Sequence, residues 1–166
     1  MNTFKPAPSL AGWISGISLV CILMASSLLV WPLAGQNIFL FLLSFLPLLV
    51  FLLVCLFFLI IFPTMRYILG EASLILKCGP FHWEIPYREI EEIEKANLAY
   101  HPSSTGWKLP GYTLFKVYFA DRGEIRMCST RMTKDILLIK TGNGDVFGIT
   151  PENETEFVRK LQEKLQ

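Results

Sequence analysis

The residues in this 166-residue chain that could do chemistry are few. It has two histidines, His82 and His101, and four cysteines, Cys21, Cys55, Cys78 and Cys128. Catalysis by a thiol or hydroxyl needs a base fixed beside the nucleophile. His82 sits in an alternating run next to Glu84, His101 precedes Pro102 in a loop, and Cys128 has no base near it in sequence. No nucleophile elbow, phosphate loop, zinc-protease helix or dinucleotide fingerprint occurs. The triplet Gly142-Asn143-Gly144 joins two apolar runs and reads as a hairpin turn. No CxxC and no cysteine–histidine metal spacing appears. The expectation is a chain that is not an enzyme, with no catalytic residue, no metal and no cofactor.

What remains is charge. Lys108, Lys116, Arg122, Arg126, Arg131 and Lys134 follow one another with only Asp121 and Glu124 between them, and Trp107 stands before Lys108. Cations beside an aromatic ring suit an anionic membrane surface, at about 1 kcal/mol per charge. Trp107, Lys108, Arg122, Arg126, Arg131 and Lys134 are therefore candidate lipid- or partner-binding residues. The competing reading is an ordinary solvated sheet face, since Lys116 and Arg126 alternate with apolar positions. The acidic run from Glu89 to Lys95 has the same two readings. A net charge of +1 argues against a nucleic-acid partner. The sequon at Asn153 falls at a helix start on the expected cytoplasmic side, so it is discounted.

These residues hang on two very different halves. Between Ala7 and Pro63 there is no charged residue and no histidine. Residues 13–32 make an apolar run of about 30 Å as a helix, the thickness of a bilayer core, with Trp13 and Trp31 near its ends. Residues 38–62 make a second, longer run that accommodates tilt. Pro47 lies inside it and should kink the helix. The short uncharged link makes the two runs a hairpin with both ends on one side. Lys5 before the hairpin and Arg66 after it put those ends in the cytoplasm. Gly12 and Gly16 form a GxxxG, and with Pro47 they are candidate packing positions, within the hairpin or against another protein. Cys21 and Cys55 in these runs act as small hydrophobes. A Cys78–Cys128 disulfide is conceivable, but a cytoplasmic domain keeps both reduced.

From Ser73 the period becomes two. "SLILKC" and "FHWEIP" flank Gly-Pro as a hairpin; "TLFKVYFA" and "EIRMCST" flank Asp-Arg-Gly; "DILLIKT" and "DVFGIT" flank the glycine triplet. Residues 87–100 fit a helix or, from Ile93, a strand, and residues 101–111 read as a loop. Thr150 can cap a last helix with Pro151 at its first position. Phe157, Val158, Leu161 and Leu165 give that helix one apolar face.

About seven strands closed by a C-terminal helix resemble the pleckstrin-homology (PH) layout, and in particular the PH-like domains of small bacterial membrane proteins. The resemblance rests on "LILKCG…EIPYREIEEI", "ILLIKTGNGDVFGI" and "TPENETEFVRKL" and covers roughly residues 67–165. It implies an α+β membrane protein: an N-terminal transmembrane α-hairpin, then a PH-like seven-stranded β-barrel or sandwich capped by a helix. The divisions are residues 1–12, a cytoplasmic segment; 13–62, the hairpin; and 63–166, the PH-like domain. It implies a membrane-anchored binding module in a bacterial cell membrane, with both termini cytoplasmic. The expected partners are the lipid bilayer and a membrane protein, a peptide or a second copy. Some proteins of this kind are linked to envelope stress or to resistance against membrane-active peptides. PH domains that bind inositol phosphates use a basic loop between their first two strands; here that loop is Cys78-Gly79-Pro80-Phe81, beside Lys77 alone, so no such ligand carries over. The alternative reading is a sensor of anionic lipid through the Trp107–Lys134 region.

Overall fold

The computed structural model describes residues 2–35, 37–99, 107–109 and 112–166. Helix α1 spans Leu10–Val30 and α2 spans Ile38–Ile61, joined through a 3-10 turn at Trp31–Gly35. Each start is capped: the Ser9 hydroxyl accepts from the Gly12 N–H at 3.1 Å, and the Asn37 carboxamide oxygen accepts from the Phe39 N–H at 2.9 Å. Both helices are long and apolar enough to cross a membrane, and only about a tenth of each is buried. A core helix of a soluble domain would bury a whole stripe; here Leu28, Leu29, Phe39 and Ile60 all stand open.

The helices pack on each other where Gly16 leaves room. A Cβ at that position would meet Leu59 Cδ2 at 2.5 Å. Gly12 lies one turn earlier, in the capped first turn. Pro47 sits inside α2, which continues through it, with its ring exposed.

Ten strands follow or flank the hairpin: β1 Asn2–Phe4, β2 Arg66–Leu69, β3 Ser73–Cys78, β4 Phe81–Pro86, β5 Ile90–Ala96, β6 Trp107–Leu109, β7 Tyr112–Phe119, β8 Gly123–Ser129, β9 Ile136–Thr141 and β10 Val146–Ile149. Helix α3, Glu154–Leu165, closes the chain. The strands form two sheets, ordered β1-β2-β3-β4 and β5-β9-β10-β8-β7-β6. All neighbours are antiparallel except β10 and β8. The expected seven strands thus become ten among the described residues. The added three are β1, β2 and β6, of three, four and three residues, each too short to display a period. The ambiguous stretch resolves into a 3-10 turn at Tyr87–Glu89 and then strand β5.

The alternation read in β3 and β4 holds: Leu74, Leu76, Cys78 and Ile85 are buried, while His82 and Glu84 face out. In β7 it breaks. Phe115 has φ +70, a conformation that strains a bulky side chain. Leu114 and Phe115 therefore both serve the core between the sheets, where Phe115 meets Phe81 edge-on at 5.0 Å. Val117 and Phe119 enter a second cluster with Ile125, Met127 and Leu138. Beyond that cluster the Ala120 N–H donates to the Ala99 carbonyl at 3.3 Å.

The helix cap differs from expectation. Helix α3 begins three residues later, after Asn153, and Thr150 is not its cap. Thr150 is buried between strands instead, its hydroxyl accepting from the Thr130 N–H at 2.9 Å. Phe157 and Leu161 are fully buried, and Leu165 is partly exposed. Phe157 packs edge-on against Phe4 at 5.2 Å and against Tyr67 at 6.2 Å.

Candidate functional site

The joint between hairpin and domain is the first place where geometry exceeds what the sequence displayed. Strand β1 precedes α1, β2 follows α2, and the two pair antiparallel with Phe4 opposite Tyr67. The segment continues as an extended chain: the Ala7 N–H donates to Thr150 O at 2.7 Å and the Glu152 N–H donates to Lys5 O at 2.9 Å. Both ends of the hairpin are thus tied to one sheet, through the hydrogen-bonded segment 5–9 on one side and the 3-10 turn Phe62–Thr64 on the other.

The β3–β4 turn adds a third tie. Gly79 takes φ +59, and a Cβ there would lie 2.8 Å from Ile61 Cγ1, at the end of α2. With β2 ahead of β3, this turn joins the second and third strands of the domain, and not the first two as the sequence suggested; it packs against the end of the chain's own helix α2. Ile61, Met65 and Cys78 are all buried in the same cluster.

The basic run reads differently once folded. Lys116 Nζ lies 2.6 Å from Glu124. Arg122 forms a fork on Glu94, at 3.0 and 2.7 Å. Arg126 pairs with Asp145 at 3.0 Å and lies over the Phe147 ring. Arg131 pairs with Asp135 at 3.3 Å. Each carboxylate cancels much of a cation's pull on an anionic surface. Lys134 is exposed. The backbone of Trp107 and Lys108 forms β6, which lies against α1; their side chains fall outside the described residues, as does His101. The acidic block of β5 likewise belongs to a network: Lys140 bridges Glu92 and Glu94 at 2.7 and 3.0 Å. Arg122 and then Lys140 hold the Glu94 carboxyl below its ordinary range.

Two clefts remain. One, of about 300 Å³, lies between β4 and the β9–β10 hairpin and is lined by His82, Glu84, Glu89, Arg126, Asn143 and Asp145. The other, of about 500 Å³, lies at the joint and is lined by Lys5, Ser9, Trp13, Pro63, Arg66 and Thr130 among others. Sequence reasoning used Lys5 and Arg66 for orientation only. Their meeting depends on the β1–β2 pairing, which no local pattern announces.

Cys78 and Cys128 are both fully buried, and neither is joined in a disulfide. A hydrogen bond donated to Cys78, and burial, push the Cys128 thiol well above its ordinary range, so it stays protonated and a poor nucleophile. Among the described residues no group of histidine, cysteine and carboxylate side chains could hold a metal.

A strand-rich domain of two sheets with a C-terminal helix thus follows an apolar helical hairpin. The family model described as bacterial PH domain matches residues 65–165, and the chain belongs to that family. No curated protein and no solved structure matches it.

Proposed function

We propose that this chain is a non-enzymatic binding module held on the cytoplasmic face of a bacterial membrane. In this reading α1 and α2 cross the bilayer, both termini are cytoplasmic, and the PH-like domain engages a membrane protein or a peptide. The observation that carries it is the short, hydrogen-bonded joint. A domain sewn to both ends of a hairpin stands at a fixed height and orientation on the membrane, which suits reading a partner in the same membrane. Weak binding gains most from such preorganisation, since orientation is fixed before the encounter.

The cleft between β4 and the β9–β10 hairpin is the proposed contact. Its polar rim can accept backbone and side-chain groups, and β4 is the edge of its sheet, open to an added strand. A photo-crosslinking residue at Glu84 or Asn143 of the full chain in cells tests this. One discrete partner from both positions, and none from Lys116, is expected. Capture of nothing, or of the same proteins from all three positions, would sink the reading. A role in envelope stress or peptide resistance is an extension of this reading; loss of resistance on deletion of the chain, restored by the wild type and not by a cleft variant, is its test.

A further inference from the structure

The joint cleft has a property the strand face lacks. Among the described residues neither Lys5 nor Arg66 forms a salt bridge, and no Asp or Glu lines the cleft. The Arg66 guanidinium is aimed by its own backbone: Nη1 donates to Pro63 O at 2.8 Å and to Met65 O at 2.6 Å. Nε and Nη2 are thereby left for an anion, in the fork geometry that phosphate accepts. The first turn of α1 borders the same space and carries no acidic residue, so the positive end of its dipole adds to both cations. Trp13, 40% exposed, stands on the rim as an interfacial indole does.

We propose that this cleft binds the headgroup of an anionic phospholipid from the leaflet that meets the domain. The inference rests on the hairpin spanning the bilayer. The cleft opens where α1 begins and α2 ends, so its mouth lies at headgroup depth. Its volume of about 500 Å³ suits a glycerophosphate group, and its lining is mostly apolar carbon. A lipid is favoured over a soluble anion because the cleft is level with the acyl boundary, where the apolar lining can take the upper glycerol and chain carbons. This lipid contact is separate from the basic strand face, where Lys116, Arg122, Arg126 and Arg131 are already matched by carboxylates.

The test uses the full chain, purified in mild detergent, stripped of lipid and titrated with phosphatidylglycerol or phosphatidylcholine of equal chain length. Native mass spectrometry reads binding. Each cation near a surface is worth roughly fivefold. Phosphatidylglycerol should bind about fivefold more weakly to Lys5→Gln and roughly 25-fold more weakly to the Lys5→Gln/Arg66→Gln double variant, on the same per-charge scale. Phosphatidylcholine binding should not change, and Arg159→Gln on α3 should match wild type. Equal affinity for the two lipids, or no loss in the double variant, overturns the proposal. So does an equal loss in Lys134→Gln, which would place the lipid on the strand face. Displacement by glycerol phosphate at the lipid's own concentration would assign the cleft to a soluble phosphate. Lys5 Nζ holds no bond in the fold, so Lys5→Gln remains informative if the double variant does not fold. Carbonate washing of the source membranes separates the two readings: a released chain sinks the spanning hairpin, and a retained chain without headgroup preference sinks only the cleft.

Discussion

Tyr67 is the bolt between the two sheets, and removing one oxygen atom from it should be costly. Its ring is fully buried on β2, packed edge-on against Phe157. Its hydroxyl donates to the Cys128 carbonyl on β8 at 2.7 Å and accepts from the Thr150 N–H, past the end of β10, at 3.3 Å. Tyr67→Phe keeps the ring and deletes both bonds. A hydrogen bond contributes about 1 kcal/mol net, and each buried group left without a partner costs about 1–3 kcal/mol. The 3.3 Å bond is long, so a total of about 2–3 kcal/mol is expected. For a domain of about 100 residues that corresponds to a fall of roughly 8–20 °C in the melting temperature. Tyr87→Phe is the internal comparison, because the Tyr87 hydroxyl has one partner, the Gly70 carbonyl at 3.0 Å. It should cost about 1 kcal/mol.

The same atom sets an alkaline limit. Burial raises the Tyr67 phenol well above its ordinary value of 10.0. The folded state then holds the proton more tightly than the unfolded chain. Stability is complete below about pH 10 and falls as pH rises above it. Cys128, whose ordinary value is 9.0, acts in the same direction from slightly lower pH. Near-UV circular dichroism of the full chain in detergent, melted between pH 6 and 11, reads both effects. Tyr67→Phe should melt lower at pH 7 and lose less on going to pH 11. A shift no greater than that of Tyr87→Phe, or an unchanged alkaline limb, would refute the assignment of Tyr67 as the inter-sheet bond.

Phe4→Ala removes the ring against which Phe157 leans and over which Lys160 lies at 5.4 Å; it should cost about 3 kcal/mol and speed amide exchange in α3. Gly16→Ala asks only that a Leu59 methyl move, whereas Gly16→Phe should overpack the helix seam at about 1–3 kcal/mol, read as easier hairpin unfolding in SDS titration. Native Cys78 and Cys128 should resist a water-soluble maleimide for hours and react within minutes in denaturant; rapid native labelling would contradict their burial.

Strands β3, β4 and β8 were legible because apolar and polar residues alternate along them, and β9 and β10 because two short apolar runs, buried on both faces, flank a glycine turn. The apolar helices were legible because hydrocarbon excludes charge over a whole span. What stayed hidden is of another kind. Thr150 looked like a cap from its neighbours, Pro151 and Glu152, yet its hydroxyl answers Thr130, 20 residues away. Lys116 and Arg126 read as cations of a solvated sheet face, and their partners stayed hidden because Glu124 reaches Lys116 through the β7–β8 hairpin register and Asp145 reaches Arg126 through the parallel pairing of β10 with β8. The "NTF" of β1 has no pattern at all; its strand exists only because β2 offers an edge beside it. That edge exists only because α2 delivers β2 back to where α1 began. The hairpin and the domain therefore specify each other: the helices bring the two short strands together, and the strands hold the helix ends at one height. Lys5 and Arg66 become a single site by the same closure. A chain cut between hairpin and domain would lose the edge strand and the joint cleft together, so both belong to the full-length fold.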